Sequence, residues 1–422
     1  MMKTLKWLAL GIVLTLFCSQ GAMAVPMFAR MYSYNCTMCH DPGYGQLNKF
    51  GYNFRAAGYR IPADIGKDMN GGKFDMTNYI AARYSAGGSL KTTSNANGAP
   101  TPDNASFTLG GASIFLGGGI SKNFFSYSEL GLGNGTNIFS GTAPNLNNAK
   151  IGFVTGSENQ FFTVRIGKFG ADGFGGSDRG PVGNSTISSA IKPTGTGLEL
   201  GYTYQDTRIT LGFFDGIQNP QVTGLVTSNS KAVTSSSVQG PTADSNNSKD
   251  IQLFVNQFIG DDGLAVNAVY YNGFNASVGA TAAAGGTGDA VGQEYFNTAI
   301  FISSPIVKKL GIKVGAEMGA TNIGIFPTTG IVGPTNGGFF GELDYAMDDL
   351  TPLVFRYDYT TTDFNTLYTD TQKFTLGALL PFVEQVYMNP TFALTMNNAG
   401  LVNGADAYNN IYTFTDSLAV FF

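Results

Sequence analysis

From about Phe74 to Phe422, short segments of this chain alternate apolar residues with polar residues or glycine, and few folds satisfy such a pattern for so long. In LGIKVGAEMGA, Leu310, Ile312, Val314, Ala316, Met318 and Ala320 fall on one side, and Gly311, Lys313, Gly315, Glu317 and Gly319 on the other. A period of two belongs to a β-strand whose faces meet different surroundings. The same split sets Leu198, Leu200 and Tyr202 against Glu199 and Thr203, and Ile209, Leu211 and Phe213 against Arg208 and Thr210. It sets Leu353, Phe355 and Tyr357 against Arg356 and Asp358. A soluble sandwich points its polar face outward, whereas a membrane barrel lines a lumen with it and turns the apolar face to lipid.

The connections separate these two folds. Short turns at 121–123, 157–160, 261–263, 307–309 and 383–385 alternate with long Gly/Ser/Thr/Asn-rich stretches near 91–104, 134–147, 170–194, 218–247, 278–293 and 324–336. Outer-membrane barrels have this asymmetry, with short periplasmic turns and long extracellular loops. The alternating segments predict an all-β transmembrane barrel of roughly 16 antiparallel strands. An even count leaves both chain ends in the periplasm. The 57 glycines, 33 phenylalanines and 20 tyrosines suit strands that bend around a barrel. In the last segment, IYTFTDSLAVFF, Tyr412, Phe414, Leu418, Val420 and Phe422 share a face. It resembles the carboxy-terminal assembly signal of bacterial outer-membrane barrels.

The amino terminus reads as a cleaved export leader. Lys3 and Lys6 precede an apolar run from Trp7 to Phe17, and Ala22-Met23-Ala24 forms a small-residue cleavage site, so cleavage is expected after Ala24. The run falls short of the roughly 20 apolar residues a membrane-spanning helix needs. The full chain carries a net charge of −5; removing two lysines and no acids leaves 22 basic against 29 acidic residues, or −7. That balance argues against a nucleic-acid partner. The chain therefore divides into a leader (1–24), a segment of different character (25–73) and the barrel (74–422).

Within that middle segment, Cys36-Thr37-Met38-Cys39-His40 is C-x-x-C-H, the attachment sequence of a c-type haem. Two thiols at this spacing add to the two vinyl groups of one haem, and the adjacent imidazole reaches the iron. A zinc site would need a fourth Cys or His, and no other remains after the leader is removed. A thioredoxin-like C-x-x-C would need a βαβ context, which the flanking sequence lacks.

The stretch QLNKFGYNFRAAGYRIP then predicts a short helix with Leu47, Phe50 and Phe54 on one face, stopped at Gly58 and by Pro62. That face is expected to pack on the haem. His40 is the only histidine, so the distal iron ligand is sought among methionines. Met27, Met31, Met69 and Met76 are candidates, with Met69 and Met76 preferred because they follow the helix.

Pro26-Met27-Phe28-Ala29-Arg30, the C-x-x-C-H motif, and Leu47-Asn48-x-Phe50-Gly51-x-x-Phe54-x-x-x-Gly58-Tyr59 ahead of a barrel resemble the fused monohaem cytochrome-porins of the bacterial outer membrane. The best-known members are Fe(II) oxidases. The resemblance implies one haem c in a small helical segment that plugs the lumen. It implies single-electron transfer from extracellular Fe(II), or another redox metal, to a periplasmic c-type cytochrome. A haem parked in the periplasm could not serve a donor across about 30 Å of hydrocarbon, because tunnelling decays exponentially with distance. Lys150, Arg165, Glu199, Lys313, Glu317, Glu342, Asp344, Arg356 and Asp358 are expected to point inward, holding the plug or wetting a pore. The alternatives are an outward conduit for extracellular metal reduction, a passive porin with a haem-bearing plug, and a haem peroxidase or gas sensor.

Overall fold

The structure, a computed structural model, describes residues 26–34, 38–40, 47–68, 78–95, 104–132, 145–170, 194–215, 249–260, 264–278, 291–307, 309–323, 335–348, 351–364, 367–383, 386–401 and 407–421. Two helices, α1 (Pro26–Tyr32) and α2 (Lys49–Ala56), and a 3-10 turn (Pro62–Asp64) precede the strands. These are β1 (Ile80–Asn95), β2 (Asn104–Gly119), β3 (Phe124–Gly131), β4 (Asn145–Ser157), β5 (Gln160–Gly170), β6 (Thr194–Tyr204), β7 (Thr207–Asp215), β8 (Lys249–Ile259) and β9 (Leu264–Val278). There follow β10 (Val291–Val307), β11 (Leu310–Ile323), β12 (Thr335–Asp348), β13 (Thr351–Phe364), β14 (Leu367–Ala378), β15 (Leu380–Val383), β16 (Val386–Met388), β17 (Thr391–Leu401) and β18 (Ala407–Phe421). The first described strand begins at Ile80, and Phe74, where the barrel is expected to begin, lies outside the described residues.

Successive strands pair antiparallel, and β1 pairs with both β2 and β18, so the sheet closes. The eighteen segments make sixteen staves. Gly377 faces Thr391 where β14 meets β17, and Leu380 faces Met388 where β15 meets β16, in one continuous register. On the other side, Thr391 faces Thr415 and Met388 faces Leu418, again without a slip. Thus β14 runs on into β15, and β16 into β17. Pro390 accounts for one interruption: it has no N–H for the ladder, although its carbonyl accepts from the Ala378 N–H at 3.1 Å.

The alternation sorts residues as expected. Val314 and Met318 are 40% and 64% exposed on the outer face, while Glu317 between them is 7% exposed on the inner one. Lys150, Arg165, Glu199, Glu342, Asp344, Arg356 and Asp358 are likewise buried inside, and Lys313 is half-buried there. Burying a charge is costly unless it is paired, and several of these side chains form ion pairs. Lys313 lies 2.5 Å from Glu342 and 2.7 Å from Asp344. Arg356 lies 2.8 Å from Asp358 and 3.3 Å from Glu342. Arg165 is bonded to Glu199.

At one end of the barrel the strands are separated only by residues 120–123, 158–159, 205–206, 260–263, 308–309, 349–350 and 384–385. At the other end the intervals include 171–193 and 216–248, although β13 and β14 are separated by only 365–366. The end with short turns is the periplasmic one in barrels of this type.

Candidate functional site

The described residues ahead of β1 pack against the inner wall of the barrel, and local sequence explains their shape. Asn48 caps α2: its side-chain oxygen accepts from the Gly51 N–H at 2.9 Å. The same residue straps down the described part of the C-x-x-C-H motif, residues 38–40. Its backbone N–H donates to the Cys39 carbonyl at 2.9 Å, and its side-chain amide donates to the Met38 carbonyl at 3.1 Å. His40 and Leu47 form a backbone bridge beside it. Leu47 therefore lies outside the helix, because Asn48 is a better cap than a helix-interior residue.

Helix α2 ends as its glycine predicts. Gly58 has φ +76°, the Gly58 N–H donates to the Arg55 carbonyl at 3.2 Å, and the Tyr59 N–H donates to the Phe54 carbonyl at 3.0 Å. This is a Schellman cap.

α2 packs against the lumen wall. Tyr52 stacks on Phe254 at 6.4 Å and meets Phe258 at 5.7 Å, both on β8, in a buried cluster that continues through Ala265, Val269, Ala299 and Phe340. Phe54, Ala56, Ala57 and Tyr59 pack with Phe125, Val154 and Phe161, from β3, β4 and β5. Thr163 donates to the Ala56 carbonyl at 2.9 Å, and Lys49 pairs with Asp206 of the β6–β7 turn at 2.6 Å. The Lys150 ammonium sits among the rings of Tyr59, Tyr127 and Phe169 at 5.5, 5.4 and 5.7 Å, joining the segment to the wall.

Phe50 and Phe54 do not present an open apolar face. Tyr34 meets Phe50 at 5.7 Å, and Tyr32 and Phe28 meet Phe54 at 5.3 and 5.4 Å. Helix α1 folds back onto this face through Phe28 and Tyr32, a long-range contact that the sequence does not signal. α1 is itself fixed to the wall: Met27 is buried with Ala81 and Phe115, and Arg30 donates to the Ile80 carbonyl at 2.6 Å. Met27 is therefore a packing residue.

Beyond α2, the fully buried Arg60 guanidinium donates to the carbonyls of Ser121 (3.0 Å), Lys122 and Phe124 (2.8 Å), pinning the segment to the β2–β3 turn. Burial lowers its pKa, while nearby Tyr32, Tyr79 and Asp64 act in the opposite sense. Burial pushes the Tyr32 hydroxyl well above the usual tyrosine range, helped by Asp64. The Tyr32 hydroxyl and Arg60 Nε are buried without a hydrogen-bond partner among the described residues.

Of the motif, Cys39 and His40 are thus placed side by side, partly buried, against α2. Cys36, Met69, Met76 and the leader lie outside the described residues. Among the described residues no group of three or more His, Cys, Asp or Glu is arranged to hold a metal ion. Sequence reading missed Asn48 and Arg60 as positioning residues. The polar residue before a helical pattern was a usable signal for Asn48, whereas nothing local marks Arg60.

No protein-family model matches the chain, and no curated protein matches it. Solved structures of similar fold include the outer-membrane channel DcaP of Acinetobacter baumannii, at 10% identity and TM-score 0.51, covering 81% of this chain and 96% of that one. A loop L8 deletion mutant of OmpT, an outer membrane protein of Vibrio cholerae, is 14% identical with TM-score 0.50, covering 81% and 99%. The likeness is one of fold: a closed antiparallel barrel of the outer-membrane type.

Proposed function

We propose that this chain is an outer-membrane electron conduit, passing single electrons from extracellular Fe(II) to a periplasmic c-type cytochrome through one haem c. Cys36 and Cys39 would hold the haem covalently, and His40 would be an axial ligand. Met69 and Met76 are the candidates for the distal position. Leader cleavage after Ala24 and periplasmic chain ends belong to the same reading. The observation that carries it is that Asn48 straps Met38 and Cys39 of the motif to a helix packed against the inner wall of the barrel.

When bound, a haem supplies a one-electron couple between ferric and ferrous iron. The chain's own residues do the rest. Asn48 would fix the motif, and the contacts of α2 with the inner wall would hold the donor set in the lumen. On the inner wall, Lys313, Glu342, Asp344, Arg356 and Asp358 form a network in which each charge has an opposite charge beside it. A polar lumen of this kind admits water and ions to the mouth, where a metal donor would dock.

The test is anaerobic addition of Fe(II) to outer-membrane vesicles carrying the oxidised protein, following haem absorbance. Reduction at the rate of Fe(II) loss is expected; an unchanged spectrum overturns Fe(II) as the donor. A strongly negative midpoint potential would instead favour the outward direction.

The resemblance in fold to a protein described as an outer membrane channel favours a second reading, a passive porin with a plug. Single-channel conductance separates the two. The plugged conduit conducts little until residues 25–73 are removed, whereas a passive porin conducts in the intact chain.

A further inference from the structure

We propose that Tyr32 and Arg60 form the receiving site for a haem propionate, an inference that rests on the haem reading above. Arg60 is fully buried, and its terminal nitrogens are committed to three neutral carbonyls of the β2–β3 turn. Carbonyls solvate a guanidinium but do not neutralise it, and no described carboxylate is in ion-pair contact with it. The nearest acid, Asp64, is bonded to Lys67 at 3.3 Å. Arg60 Nε–H and the Tyr32 O–H are both buried and without a partner among the described residues. A guanidinium with one donor left over, beside a phenol with one donor left over, matches what a carboxylate accepts. A buried donor left unmet is costly, so natural proteins rarely keep two together without a ligand for them.

The position suits a porphyrin attached at the motif. Tyr32 stacks on Tyr34 at 5.7 Å, Tyr34 meets Phe50 at 5.7 Å, and Gly51 lies against Cys39. The pair therefore stands a few side chains from the attachment turn, on the same small segment. A haem held there brings two carboxylates with it, and no other group of the proposed assembly supplies an anion by construction. An acidic side chain of this protein is the competing source of the same chemistry.

The test uses full-length protein in detergent, with haem labelled in its propionate carboxyl carbons, and redox infrared difference spectra of the wild type and of Tyr32→Phe. The phenylalanine keeps the ring contacts and removes only the donor. Covalent haem, counted by intact mass, is expected to be unchanged. The label-sensitive carboxylate bands should shift, and the midpoint potential should fall, because a less well-bonded propionate favours ferric iron. Arg60→Lys, which keeps the charge and loses Nε–H, should move the same bands. Full haem attachment with unmoved bands in Tyr32→Phe overturns the proposal, whether or not the Arg60 variant folds. Bands that move but carry no label assign the site to a protein carboxylate and also overturn it. A wild-type chain with no covalent haem overturns the haem reading itself.

Discussion

The α-carbon of Gly51 faces the carbonyl of Cys39 so closely that a Cβ there would stand 2.1 Å from the oxygen. No side chain fits between α2 and the C-x-x-C-H turn, and the neighbour is backbone, which cannot rotate away. Gly51→Ala is expected to push the turn off the helix at a cost of about 1–3 kcal/mol, in the range of overpacking. Intact-mass measurement of covalent haem should show a loss of more than half, while the barrel still forms by heat-modifiable gel mobility.

Phe125 of β3 is held between two glycines, Gly58 at the end of α2 and Gly152 on β4; a Cβ on either would fall 2.3 or 2.2 Å from the ring. Phe125→Ala should release one side of the plug without disturbing strand pairing, losing about 3–5 kcal/mol of docking energy. Hydrogen exchange over residues 47–60 should accelerate, and single-channel conductance should rise. Unchanged exchange there would show that Tyr52 alone secures the helix.

Lys313 stands between Glu342 and Asp344. Lys313→Met would remove the ion-pair partner of Asp344 and leave Glu342 with Arg356, so a destabilisation of about 3–5 kcal/mol is expected. Thermal unfolding in detergent reads it. A triple variant that also carries Glu342→Gln and Asp344→Asn should recover most of the loss.

Cys39→Ser and His40→Ala separate attachment from architecture. Barrel formation should persist in both, because neither side chain belongs to the wall clusters. Cys39→Ser should lose one thioether, leaving at most a single, Cys36-linked adduct; His40→Ala should keep any adduct and change the optical spectrum. A barrel that fails to form in either variant would mean that the segment templates the sheet.

The barrel was legible because its signal repeats. Every strand states which face is lipid and which is lumen, as Met318 and Glu317 do, and the register carries that statement around the ring. Gly58 was legible as a helix stop because its left-handed φ is a local demand. What stayed hidden depends on contacts far apart in sequence. The apolar stripe of Phe50 and Phe54 reads the same whether a porphyrin or Tyr32 and Phe28 cover it. Arg60 looks like any surface arginine until Ser121, Lys122 and Phe124 are brought beside it. The end-to-end joints at Leu379 and Pro390 break two strands without breaking the alternation, so a count of segments reached the right number of staves without seeing the joints.

Because α2 is packed and hydrogen-bonded to the inner wall between β5 and β8, it is cargo inside a hoop whose last stave, β18, is laid against its first. Cargo cannot be threaded into a sealed hoop as easily as a hoop can be wrapped around it. Any enzyme that modifies Cys39 or His40 therefore has its opportunity before the β1–β18 seam is made. In a pulse-labelled cell, the chain should gain its adduct earlier than its heat-resistant mobility; the reverse order would mean that the segment enters from the open rim.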